Sequence, residues 1–228
     1  MNPRLRPPCA GDGWKVAAIT AAASLLLVLG LVLAVREGMG WDFEEATRAP
    51  LAADRTSGPR YGGWLGSFGV IGWAIAASVS AFAAALTASR TASPPVGERR
   101  FLLASAALSS VLMIDDLFLV HSTLAPEFLG VPKPVMIVGL VALASAWGLV
   151  FRRRLLRDPD LLLMGWAVLW YAIALLIDAF GEIIGWGGVR EEGAKLVGVL
   201  GWVTYYWRTS HRAVVASFSP STQPGGPA

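Results

Sequence analysis

Four groups of acidic residues interrupt a chain that is otherwise poor in charge. Asp115 and Asp116 are adjacent, with His121 close behind, inside the apolar string Met113-Ile114-Asp115-Asp116-Leu117-Phe118-Leu119-Val120-His121. Asp178 is followed at i+4 by Glu182, and Glu191 and Glu192 are followed by Lys195. Asp42, Glu44 and Glu45 come directly after Trp41. Carboxylates with one imidazole suit a divalent metal ion that activates water in a hydrolase, with Asp116, His121, Asp178 and Glu192 as candidate ligands. The same residue types also build ion and proton pathways, in which a Lys or His changes charge among buried acids. A structural reading stands beside both. Glu191 and Lys195 have i,i+4 spacing in the favourable order, and acids in a first helical turn complement the helix dipole. Lys195 would then be the counter-ion that ties Asp116 and Asp178 together at the ends of their helices.

The elements that must carry these residues are apolar helices. Of 228 residues 55% are hydrophobic and 15% charged, and the mean hydropathy is +0.56. Soluble domains carry about 25% charged residues, so a hydrocarbon solvent fits this chain better than water. Six segments are apolar enough and about long enough to cross some 30 Å of hydrocarbon. They are 16–35, 64–88, 101–120, 135–151, 161–181 and 191–207. The first is too long for the core of a signal peptide and is expected to remain as a span. The expected architecture is an all-α membrane bundle of six transmembrane helices at 16–208, between a tail at 1–15 and a disordered tail at 209–228.

Basic residues orient the bundle. Arg4, Arg6 and Lys15, then Arg90, Arg99 and Arg100, then Arg152, Arg153, Arg154 and Arg157, and finally Arg208 and Arg212 fall on one side of the six spans. These are twelve of the 19 Lys and Arg, so the positive-inside bias makes that side, and both termini, cytoplasmic. The net charge of +3 therefore reflects loop clusters, and a nucleic-acid partner is not expected. The partners implied are the lipid bilayer and further copies of this chain. Trp14, Trp207, Trp41, Trp64 and Trp186 fall near the predicted interfaces, as aromatic belts do. Gly72, Ala76, Ser80 and Ala84 form a small-residue stripe that lets another helix approach closely.

This orientation brings the acids to one level. At 1.5 Å per residue Asp115 lies about 21 Å into its span and Asp178 about 26 Å into its own. Glu191 and Glu192 open the last span from the opposite side. All therefore reach the non-cytoplasmic third of the bundle. Helical phase separates them again: Asp115 and Asp116 point about 100° apart and are not expected to line one cavity together. His121 would be about 140° from Asp116 on a continued helix and joins the site only if the helix unwinds.

The strings Asp115-Asp116-Leu117-Phe118-Leu119-Val120-His121 and Glu192-Gly193-Ala194-Lys195-Leu196-Val197-Gly198 resemble blocks of an uncharacterised family of bacterial multi-pass membrane proteins. That resemblance covers the last four spans and implies location in a bacterial cell membrane, with no activity attached. In those blocks an acid follows the His, where this chain has Ser122. The site is also loosely similar to that of ceramidase-like membrane hydrolases, which use several His ligands, whereas this chain has only His121 and His211. No Walker loop, dinucleotide fingerprint, His-Glu-x-x-His or Ser elbow is present, and the single Cys9 supports no disulfide. Gly185-Trp186-Gly187-Gly188 reads as a turn.

Overall fold

A computed structural model of the chain describes residues 12–39, 64–88, 96–184 and 189–218. Cys9, Trp41, Asp42, Glu44, Glu45, the turn at 185–188 and the tail at 219–228 lie outside them. So does the side chain of Glu182. The described residues form helices and no strand: α1 Gly13–Met39, α2 Trp64–Ala88, α3 Val96–Phe118, α4 Lys133–Leu155, α5 Leu161–Ile184 and α6 Val189–Phe218, with a short π-type helix, Val120–Leu129, between α3 and α4. Five of these, α1 to α5, are long and apolar enough to cross a membrane.

The sixth expected span coincides with α6, which is not among those five because its ends are rich in charge. Its position explains how it carries them. α6 packs against α1, α2 and α5 and is the centre of the bundle, so its neighbours rather than solvent or lipid cover most of its surface. Leu196, Val197, Val199, Tyr205 and Tyr206 are all nearly inaccessible. α6 also continues past the predicted boundary at 208 as far as Phe218. Residues 209–218 are therefore helical, contrary to the expected disordered tail, and ion pairs from Arg208 and Arg212 fasten that stretch.

Small residues set the helix spacings. A Cβ on Gly72 of α2 would come within 2.3 Å of Val199 Cγ1, and one on Gly198 within 3.0 Å of the Tyr171 backbone of α5. Ala76, Ser80 and Ala84 continue the α2 stripe and are buried. Close backbone approach at such positions is how helices associate when apolar surroundings offer no hydrophobic driving force. The core above them is aromatic: Phe101 packs on Trp147, Phe151 and Tyr206, and the Arg154 guanidinium lies 3.6 Å over the Phe101 ring.

α4 stands apart. None of its residues is buried, and it leans on α3 and the π-type segment while α5 turns to α6 and α1. Consecutive helices that diverge in this way leave a cleft between them.

Candidate functional site

The cleft is a cavity of about 410 Å³ walled by α3, α4, α5 and α6. Most of its lining is apolar, but Asp115, Asp116, His121, Asp178, Glu191 and Lys195 all reach it. The predicted phase conflict between Asp115 and Asp116 is thus overturned. Both side chains line the cavity, Asp115 turned toward His121 and Asp116 toward Trp73 and Lys195.

That ending brings in His121. Leu119 adopts a left-handed conformation, φ 51°, which for a bulky residue costs about 1–3 kcal/mol. The chain then continues in wider turns, with the Leu124 N–H donating to the Leu119 carbonyl at 3.0 Å. The reversal lets one carboxylate serve the new segment twice. Asp115 Oδ1 accepts from the His121 backbone N–H at 3.0 Å, and Oδ2 lies 2.7 Å from His121 Nδ1. With Asp115 ionised, Nδ1 carries the proton and Nε2 is left for other partners. Asp115 and His121 are 5% and 15% exposed, so this is a buried, oriented pair.

Asp116 turns to a different set. Its Oδ2 accepts from Trp73 Nε1 at 2.8 Å, and its Oδ1 lies 3.5 Å from Lys195 Nζ. Lys195 is also 3.1 Å from Glu192 and 3.9 Å from Glu191, so one ammonium is shared among three carboxylates. The expected Lys195 counter-ion role holds for Asp116 but not for Asp178, whose partner is Lys133 at 2.6 Å. One oxygen each of Asp178 and Glu192 is buried without a hydrogen-bond partner among the described residues. Glu192 does not reach the cavity and points instead toward Gly66 of α2. Among the described residues no three His, Cys, Asp or Glu side chains are grouped to hold a metal ion. Within the proposed ligand set Asp116 and Glu192 share Lys195, while His121 is held by Asp115 and Asp178 by Lys133.

Two participants were not singled out from the sequence. Trp73 is a mid-helix Trp whose indole N–H must find an acceptor when buried, and that need was the available signal. Lys133 was legible only as a lone cation on the side where cations are few. Tyr171, on the Asp178 face of α5, packs edge-on against Trp73 at 5.4 Å between ring centroids and lines the same cavity.

A family model described as a domain of unknown function, DUF8692, matches residues 17–209. The chain belongs to that family. No curated protein and no solved structure is detectably similar to it. Every residue of the acidic cluster lies within the stretch matched to DUF8692.

The opposite end of the bundle holds a second charged cluster. Arg154 donates to both Glu98 oxygens, to Asp158 and to the Tyr205 hydroxyl. Arg212 bridges Asp158 and Asp160, and Arg208 donates to Asp160 at 2.9 Å. Burial works to raise the Asp160 carboxyl, but hydrogen bonds from Arg208 and Arg212 prevail and hold it below the usual carboxylate range. This cluster ties the turn between α4 and α5 to α3 and α6.

Proposed function

We propose that this chain is a multi-pass integral membrane protein of six spans with both termini cytoplasmic, and that its non-cytoplasmic half houses a proton-exchanging site centred on His121. The membrane reading draws on the five long apolar helices and on the alternation of basic loops. The observation that carries the site is the 2.7 Å contact between His121 Nδ1 and Asp115 on the wall of a cavity. A carboxylate so placed fixes the ring's orientation and tautomer, and it compensates the charge when Nε2 takes a proton. Asp116, Asp178, Glu191 and Lys195 are further stations beside it, as in proton and ion pathways of membrane proteins. The lysine partners of these acids favour this reading over a metal-dependent hydrolase, since a ligand carboxylate would first have to leave its ammonium.

Purified protein in vesicles with an internal pH indicator tests it. A response to an imposed pH or ion gradient is expected, and His121→Gln and Asp115→Asn should each abolish it. Identical responses in wild type and both variants would remove the pair from the mechanism. A stoichiometric divalent metal lost in His121→Gln would restore the hydrolase reading.

A further inference from the structure

The cavity has two unlike ends. Lys133, at the start of α4, meets Asp178, near the end of α5, so the two helices run antiparallel along it with the acids gathered at that end. From there the α4 wall passes Ile137, Val141, Ala144 and Gly148 to Leu155, and the α5 wall passes Tyr171 and Val168 to Met164. Residues 137 to 155 of a helix span roughly 27 Å, so the apolar lining extends far from the charged end.

Volume limits what fits. At about 410 Å³ the cavity falls in the range of pockets that take one small ligand, about 300–1,000 Å³, which suits a single alkyl chain. Charge selects the head. Four carboxyl groups reach the cavity, Asp115, Asp116, Asp178 and Glu191, and they outnumber the lysines beside them, Lys195 on the wall and Lys133 on Asp178. One Asp178 oxygen is buried and has no hydrogen-bond partner among the described residues. Trp73 and Tyr171 stand beside these acids, and aromatic rings favour cations.

We propose that this cavity binds a single-chain amphiphile with a cationic head group, the head between Glu191 and the Asp178 oxygen that Lys133 does not hold, and the chain directed toward Leu155. The proposal rests on the membrane reading above but not on proton exchange at His121. Bilayer hydrocarbon is as apolar as this lining, so the chain supplies little net preference and the head group decides affinity.

The test uses full-length protein in nanodiscs, titrated with dodecylamine and with dodecyl sulfate, each brominated at the chain terminus. Bromine quenches tryptophan, and Trp147 and Trp202 line the cavity. Saturable quenching by the amine is expected, with the sulfate binding at least about tenfold more weakly, the scale of a charged hydrogen bond gained or lost. Asp178→Asn should weaken the amine by a similar factor. Ala144→Phe, which places a ring in the cavity, should abolish the saturable component while melting as a folded protein. Non-saturable quenching that is the same in wild type and Ala144→Phe would overturn the proposal, as would equal affinity for the sulfate. Loss of quenching by wild type with the pH response intact would defeat this proposal alone.

Discussion

Where α4 turns into α5, Arg154 and Arg212 meet Glu98, Asp158 and Asp160; at the far end of the same helices, Lys195 and Lys133 meet Asp116, Asp178, Glu191 and Glu192. Both clusters are charged and largely buried, yet their chemistry differs. A guanidinium is a flat fork with donors in fixed directions, and Arg154 uses it for two oxygens of Glu98, one of Asp158 and a Tyr205 hydroxyl. An ammonium is a point charge that several acids can share, as Lys195 is shared at 3.1 to 3.9 Å. The arginine end is a clasp with its geometry fixed by several directed bonds. The lysine end borders a cavity and contains the oriented His121, and it is there that the proposed proton exchange and cation binding would take place.

If this contrast is right, the largest stability losses belong to the clasp. Asp160 is 1% exposed and receives two arginines, so Asp160→Ala should destabilise the folded protein by about 3–5 kcal/mol, the cost of stranding buried charge. Unfolding in mixed micelles measures it, and a loss below about 1 kcal/mol would show that the arginines find other partners. Arg154→Lys should cost less, about 1.5–3 kcal/mol, because an ammonium retains charge but cannot hold Glu98 bidentately while reaching Asp158 and Tyr205. Parity of Arg154→Lys with wild type would erase the distinction between fork and point charge.

The lysine end should respond in function more than in stability. Asp115→Asn keeps a carbonyl oxygen for the His121 backbone N–H, so the expected loss is about 1 kcal/mol with the pH response abolished. A fold that collapses in this variant would make the pair structural instead. The smallest effect is that of acid on wild type. Because Asp160 is held below its ordinary value, its contribution is fully present above the unfolded carboxylate pKa of about 3.9 and is lost as pH falls through the lower folded value. Unfolding curves between pH 5 and pH 2 should therefore steepen only in the acid range, and Asp160→Asn should flatten that part.

Much of the scaffold was legible in the chain. α2 spans Trp64–Ala88, the very limits of its apolar run, and α5 begins at Leu161 as expected. The small-residue stripe from Gly72 to Ala84 marked the face that α6 would press against. That Asp115, Asp178 and Glu191 come together at one end of the bundle also followed, since rise per residue fixes how far along its helix each stands. The break at Leu119 did not, because neither Gly nor Pro marks it and Pro126 lies well beyond. The carboxylate of Asp115, returning to the His121 N–H and ring, offsets the strain of the left-handed turn.

What the sequence determined by itself is therefore the set of helices and the level at which their acids stand, because hydropathy, charge bias and helical rise are properties of local segments. Tertiary structure decided which charges pair. Asp115 chose His121, Asp116 chose Trp73 and Lys195, and Asp178 chose Lys133, through contacts of 2.6 to 3.5 Å set by how the helices turn and lean. It also decided that α6, the most charged helix at its ends, sits in the middle, and that α4 diverges from α5 to leave a cavity. The central place of α6 depends on the close approach of Gly72 to Val199 and of Gly198 to the Tyr171 backbone, which spacing along one chain does not specify.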